Sequence, residues 1–162
     1  MEVEQIRVGI ADYKAANSPS KIITIGLGSC VGITLYDNTT RIGGLAHVML
    51  PDSKQFLNAS NIGKYADLAI PVLVDKMTTM GANRRAITAR IGGGASMFNF
   101  SDKSLVMDIG NRNVISVKDT LQKLSIRIMG EDTGGNYGRT MILDIGTGKT
   151  FIKTVGLGIV EI

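Results

Sequence analysis

The 162-residue sequence contains no tryptophan, one cysteine and one histidine. A single cysteine excludes an intramolecular disulfide and offers no spacing typical of zinc ligands. A free thiol is typical of a reducing compartment. No apolar run approaches the roughly 20 residues that a membrane-spanning helix needs, and the acidic start, MEVEQ, lacks the apolar core of a signal peptide. We therefore expect a cytoplasmic protein without membrane insertion.

The sequence also lacks a strong net charge and has few aromatic residues. The formal net charge is only +4, and aromatic residues make up 5% of the chain. Because nucleic-acid binding needs basic patches interleaved with aromatic residues, we expect no nucleic-acid partner. The stretch GTGKT (146–150) has Leu143 where a phosphate-binding loop needs glycine, so it favours a hairpin turn. No ligand cluster is evident, and we expect neither a metal nor an organic cofactor.

The sequence does contain short β-type segments and two helical ones, in a length that suits one domain, residues 1–162. The first helix is predicted at 60–80, with Ser60 as N-cap, Gly81 beyond its end, and Pro71 kinking it or ending its first part. The second helix is predicted at 111–124. Strands are predicted at 7–11, 21–27, 31–36, 41–50, 86–91, 126–131, 139–144 and 151–155.

Cys30 and His47 raise the question of catalysis. By residue type alone, a small buried hydrophobe and a hydrogen-bonded core histidine are the favoured interpretations. A hairpin turn centred between Asn38 and Thr39, however, would place Cys30 directly opposite His47 on one face of the sheet. A thiol beside an imidazole is a nucleophile beside a base, and a protonated imidazole would lower the pKa of the thiol.

The residues before the cysteine suit the same chemistry. Gly26 and Gly28 allow the chain to bend closely around a nucleophile, and the backbone amides of Ser29 and Cys30 could stabilise an oxyanion. A third group must orient the imidazole through its other nitrogen. Thr24 on the preceding strand is the candidate, although an ordinary β-branched strand residue explains it equally well.

Two blocks, TIGLGSC (24–30) and GGLAHVMLP (43–51), resemble the chemoreceptor glutamine deamidase family CheD of bacterial and archaeal chemotaxis. The resemblance covers nearly the whole chain and includes four further blocks, which are YADLAIP (65–71), GGGASMF (92–98), IGNRN (109–113) and DTGGNYGR (132–139). It implies an α+β fold, a single layered domain of mixed, largely antiparallel sheet with two main helices, as in toxin deamidases. It also implies Cys30, His47 and Thr24 as catalytic residues.

The resemblance further implies hydrolysis of selected glutamine side chains to glutamate on the cytoplasmic helices of chemoreceptors. A CheC-type phosphatase is the expected partner, and nothing in the sequence demands self-association, so we expect a monomer. The alternative is a non-catalytic regulatory partner of that phosphatase and the receptors. Methyl-ester hydrolysis and the choice of glutamine stay open. The candidate substrate or partner contacts lie in the 92–98 loop and the 111–113 turn, and are Gly93, Gly94, Ser96, Phe98, Asn111 and Asn113.

Overall fold

The structure is a computed structural model that describes residues 2–55, 60–96 and 108–162. The two α-helices are α1 (Ala66–Thr79) and α2 (Ile109–Lys123). The strands are β1 (Gln5–Arg7), β2 (Asp12–Asn17), β3 (Lys21–Leu27), β4 (Val31–Asp37), β5 (Ile42–Val48), β6 (Ile87–Gly93), β7 (Arg127–Thr133), β8 (Arg139–Asp144), β9 (Lys149–Thr154) and β10 (Gly158–Glu161). Short 3-10 turns lie at Ser53–Gln55, Ile62–Lys64 and Arg84–Ala86.

The strands form two five-stranded sheets. Sheet A has the order β1-β3-β8-β9-β10 and sheet B has the order β2-β5-β4-β6-β7. Only β1–β3 and β6–β7 are parallel among these pairings. The expected α+β class, with mixed, largely antiparallel sheet and two main helices, is therefore confirmed. No helix in the described ranges is long and apolar enough to cross a membrane.

Sheet B lies between the two helices and sheet A. On its helix side, Ile33 and Leu35 of β4 belong to an apolar cluster with α1 and α2. On its other side, Leu45 of β5 belongs to a second cluster with Met141 of sheet A. Because both faces are covered, every residue of β4 and β5 is buried, which explains their continuous apolar sequences. Polar side chains on the sheet A side of these strands are therefore held inside the molecule.

Several predicted elements differ from the observed ones at the N-terminus. The predicted strand at 7–11 is wrong, because most of it is the connection between β1 and β2, where Ala11 has a positive φ of 62°. The strand β2 has only a weak alternation, and it forms through pairing with β5. The C-terminal strand β10 was also not predicted. Tertiary pairing, and not local propensity, creates these strands.

The first helix begins later than its periodicity predicts. It starts at Ala66 after Tyr65, which makes no side-chain cap, and so the predicted cap at Ser60 is wrong. The residues just before it form a separate 3-10 turn, in which the Asn61 side chain accepts from the Gly63 amide. Pro71 lies inside α1 without ending it. Gly81 follows the helix with a φ of +115°, as a residue just beyond a helix end commonly does.

The β4–β5 hairpin has a register two residues away from the predicted one. Asp37 pairs with Ile42, and Gly32 pairs with His47. The Asp37 carboxylate accepts from the amide of Thr39 at 2.9 Å and from the hydroxyl of Thr40 at 2.8 Å, which holds a turn one residue further along the chain. A direct Cys30–His47 pairing is therefore wrong, but a shift of two residues keeps both side chains on the same face.

Asp37 also joins this turn to the segment after α1, because its Oδ2 accepts from the Asn83 amide at 2.7 Å. Burial raises the pKa of the carboxyl, but the hydrogen bonds from Thr39, Asn83 and Thr40 outweigh burial and lower the pKa to about 2. A carboxylate whose pKa falls on folding stabilises the protein above its unfolded pKa of about 4. That contribution is lost as pH falls towards 2.

We expect Asp37→Asn to lower the free energy of unfolding by about 2 kcal/mol at pH 7, because the amide NH₂ cannot accept from the Asn83 backbone. Urea unfolding measures the change, and its size should shrink as pH falls from 4 towards 2. The matched control is Asp75→Asn, since that carboxylate is 75% exposed in its ion pair with Arg84 and contributes at most about 1 kcal/mol. Equal losses in the two variants would contradict the role of Asp37.

Candidate active site

Thr24, Cys30 and His47 all lie in the layer between the two sheets, where Thr24 contacts His47. Thr24 lies in β3 of sheet A, and both Thr24 and His47 are fully buried. The backbone of His47 is paired on both sides, with Asp12 of β2 and Gly32 of β4. Cys30 immediately precedes β4, is half-buried and packs against the apolar cluster between the sheets. The fold thus brings the three residues singled out in the sequence to one layer.

A hydrogen-bond chain determines which nitrogen of His47 carries the proton. Thr24 Oγ1 lies 2.7 Å from His47 Nδ1 and 2.8 Å from the carbonyl oxygen of Val8. The Thr24 hydroxyl has one proton, and it must donate that proton to the Val8 carbonyl, which can only accept. Thr24 therefore accepts from His47, and the neutral imidazole is protonated at Nδ1. Its other nitrogen, Nε2, is left with a free lone pair.

The Nε2 atom of His47 is buried and has no hydrogen-bond partner among the described residues. Cys30 lies two positions before Gly32, which makes it the diagonal neighbour of His47 on the same face. Diagonal neighbours are about 7–8 Å apart at the backbone, within reach of an aromatic side chain. Gly32 carries no side chain, and the space that a Cβ at that position would enter is occupied by Met141 Sδ and the Leu27 side chain. The free lone pair therefore lies on the same sheet face as the thiol.

Burial sets the charge of both groups. It lowers the pKa of His47 to about 4. It also raises the pKa of the Cys30 thiol, an effect that a hydrogen bond from the Cys30 backbone partly offsets. At pH 7 the resting pair is thus a neutral thiol and a neutral imidazole. The expectation that a protonated imidazole lowers the pKa of the thiol stays a prediction, since burial disfavours the charged form of each group in the resting structure.

The turn before Cys30 leaves backbone donors near the thiol. Gly26 has a φ of +83°, which favours glycine, at an irregularity of β3 between Ile25 and Leu27. The amides of Ser29 and Cys30 donate to no other described residue. Backbone amides beside a thiol can donate to an oxyanion, and the Cys30 amide bonds to its own thiol in the resting structure. The amides of Ser29 and Cys30 stay the predicted oxyanion donors.

Gly93 and Gly94 pack against residues 28–30, the turn that carries the candidate nucleophile Cys30 and that we call the nucleophile turn. The Gly94 amide donates to the Cys30 carbonyl at 2.8 Å, and the Ala95 amide donates to the Gly28 carbonyl at 2.9 Å. A Cβ at Gly93 would lie 2.3 Å from the Cys30 oxygen, so only glycine fits there. Both glycines are buried. Their backbone holds the turn, and their role as substrate or partner contacts stays a prediction.

The other predicted contacts divide between surface and interior. Ser96 and Asn111 are exposed and line a cavity of about 210 Å³ with Asp108 and Thr133. Asn113 is fully buried, so its predicted role as a surface contact is wrong. Phe98 lies outside the described residues. The cavity is also lined by Gly94, whose amide bonds to Cys30, and it therefore lies beside the nucleophile turn.

Two groups at the site were not found by sequence reasoning. The first is the Val8 carbonyl, and no side-chain pattern can reveal a backbone acceptor. The second is Arg139, whose fully buried side chain pairs with Asp132 at 3.2 Å and approaches the Gly93 carbonyl at 3.4 Å. A buried arginine must be paired with an acceptor. In the sequence, the block DTGGNYGR, which contains both Asp132 and Arg139, is the signal that could have indicated this pair. Within the described ranges, no three His, Cys, Asp or Glu side chains are grouped as metal ligands would be.

Comparisons with known proteins establish the family of the chain. A family model described as "CheD chemotactic sensory transduction" matches residues 49–154. Proteins named "Probable chemoreceptor glutamine deamidase CheD" from Clostridium botulinum and Clostridium kluyveri are 61% and 60% identical over the full length of both chains. The solved Bacillus licheniformis hypothetical protein YfiH is 16% identical, covers 75% of this chain and 50% of its own, and has a TM-score of 0.49, a likeness too weak to interpret. The chain belongs to the CheD family.

Proposed function

We propose that this protein is a chemoreceptor glutamine deamidase of chemotaxis, in which one domain, residues 1–162, converts selected receptor glutamines to glutamates. The observation that supports this most directly is the Val8–Thr24–His47 chain, which leaves His47 Nε2 as a free base on the face where Cys30 lies. Family membership supplies the substrate class, because relatives identical at 61% over the full length carry the deamidase name.

In the first half-reaction, His47 Nε2 takes the thiol proton as Cys30 Sγ attacks Cδ of the glutamine side chain. The amides of Ser29 and Cys30 donate to the oxyanion of the tetrahedral intermediate, with Gly26 and Gly28 shaping the turn. The intermediate collapses by breaking its C–N bond, and His47 donates its proton to the departing ammonia. A thioester between Cys30 and the substrate remains.

In the second half-reaction, water replaces ammonia. His47 is neutral again and accepts a proton from the water as its oxygen attacks the thioester carbonyl. The C–S bond then breaks, His47 returns the proton to the sulfur, and glutamate is released. Thr24 accepts from Nδ1 throughout, so it keeps Nε2 as the nitrogen that exchanges the proton. Every proton and leaving group is thus accounted for by two side chains and one water.

The cellular setting is proposed on family membership alone. We place the protein in the cytoplasm, as a monomer that acts on receptor cytoplasmic helices and binds a CheC-type phosphatase. The exposed residues Ser96 and Asn111 beside the nucleophile turn are candidate contacts for these partners.

Cys30→Ala is expected to abolish ammonia release from a purified receptor cytoplasmic fragment, because no other described residue is placed to form the thioester. Mass spectrometry of the fragment before and after incubation would identify each glutamine converted. His47→Ala serves as the second catalytic variant. Ammonia release by Cys30→Ala at the wild-type rate would refute the assignment of Cys30 as the nucleophile. A wild-type signalling phenotype for this variant would favour the alternative of a non-catalytic regulatory partner.

Thr24→Val is expected to lower kcat about 100-fold, since it removes the acceptor that holds Nδ1 protonated and leaves the volume nearly unchanged. Thr24→Ser retains the hydroxyl and should recover most of that loss. Steady-state kinetics on the receptor fragment give kcat and KM for both variants. A Thr24→Ser protein as slow as Thr24→Val would mean that the hydroxyl is not the important group.

The pH dependence of the deamidase activity should follow from the burial of His47. With a His47 pKa of about 4, the imidazole stays neutral from pH 7 down to nearly that value, and only below it does protonation remove the base. Because His47 is the only histidine, its ring resonances report this titration directly by NMR. A His47 titration at its ordinary pKa of about 6.5 or above, together with thiolate absorbance at pH 7, would instead establish a resting ion pair.

A further inference from the structure

Asn113 is a fully buried polar side chain in the second turn of α2. Its Nδ2 donates to the carbonyl of Ser29 at 3.0 Å and to the carbonyl of Met49 at 3.1 Å. Ser29 directly precedes Cys30, and Met49 is the second residue after His47. One side-chain amide thus joins the two backbone segments that carry the candidate nucleophile and base, and we call this contact the Asn113 bridge.

The amide orientation follows from chemistry. Each of the two Nδ2 protons has one carbonyl acceptor, whereas a flipped amide would direct its oxygen at both carbonyls. Neither carbonyl accepts from another described residue. Asn113 Oδ1 is buried and has no partner in the described ranges, which is unfavourable by itself. The residue therefore contributes through its two donated hydrogen bonds.

The bridge lies where the sheet no longer holds the two segments together. The β4–β5 ladder begins with the pair Val31 and Val48, so Ser29, Cys30 and Met49 lie beyond its last rung. The Gly94 amide holds the Cys30 carbonyl and the Met49 amide donates to the Lys64 carbonyl, but neither of these bonds joins the two segments to each other. The bridge replaces the missing rungs from the side of α2.

We propose that Asn113 is a positioning residue that sets the distance between Cys30 Sγ and His47 Nε2 by fixing the backbone on both sides. Its catalytic consequence rests on the function proposed above. The residue touches neither substrate nor the reacting atoms, and acts only through Ser29 and Met49. A shift of about 1 Å in a reacting pair can cost about 100-fold in rate, so this role is measurable.

Ser116 provides a matched control on the same helix. Its hydroxyl donates to the Pro51 carbonyl at 2.6 Å, so it also fastens α2 to the segment after His47. Its hydroxyl makes no hydrogen bond to a described residue of the nucleophile turn. Ser116→Ala therefore removes an anchor of the helix but leaves the connection between the two catalytic segments intact.

The experiment compares Asn113→Ala, Asn113→Ser, Ser116→Ala and His47→Ala with the wild type. Cys30 is the only cysteine, so its alkylation by iodoacetamide, measured across pH, reports how strongly His47 activates the thiol without needing any substrate. On the receptor fragment, kcat and KM are measured for the same proteins. Thermal unfolding identifies variants that fail to fold, and Asn113→Ser, which keeps one donor, is the milder substitution.

We expect the alkylation rate of Asn113→Ala to fall towards that of His47→Ala, with kcat lower by about 10- to 100-fold and KM within about twofold. Ser116→Ala should resemble the wild type, and Asn113→Ser should lie between. A wild-type alkylation rate in folded Asn113 variants would overturn the positioning role of Asn113. Equal losses of alkylation rate and kcat in Asn113→Ala and Ser116→Ala would overturn it too. If wild-type protein leaves receptor glutamines intact while alkylation depends on His47 and Asn113, the deamidase proposal fails and the bridge stands.

Discussion

The contact on which the site depends is the hydrogen bond between His47 Nδ1 and Thr24 Oγ1, which joins sheet B to sheet A at 2.7 Å. It forms inside the layer between the sheets, where water cannot compete and an unpaired nitrogen would be costly. Because Thr24 must donate to the Val8 carbonyl, the bond has one direction. The packing of two sheets therefore determines the tautomer of one imidazole.

Burial of this histidine also determines the kind of catalysis that the site can perform. A buried imidazole and a partly buried thiol resist ionisation, so the pair is neutral before substrate arrives. In the proposed mechanism, proton transfer from the thiol to His47 therefore accompanies attack on the amide, as in general-base catalysis. A neutral thiol reacts less readily with other electrophiles than a standing thiolate does.

The backbone turn that carries Cys30 is held by elements distant in sequence. The backbone after β6 bonds to Cys30 and Gly28 from one side, and α2 reaches Ser29 through Asn113 from another. The Arg139 guanidinium donates to the Gly93 carbonyl and so holds the backbone after β6. None of these contacts has a local sequence pattern, since each depends on close approach of backbone to backbone or on a single buried amide. Sequence reasoning therefore assigned Gly93, Gly94 and Asn113 to the surface, although all three are interior.

The amino-acid sequence by itself determined the secondary structure of the buried strands, the two helices and the identity of the single cysteine and histidine, because hydrophobic pattern and composition are local properties. It also determined the face shared by Cys30 and His47, since the period of a strand is two. Tertiary structure decided the hairpin register, through the buried carboxylate of Asp37, and the edge strands that exist only by pairing. It alone decided the charge state of the site, because desolvation depends on what packs around a group and not on its neighbours in the chain.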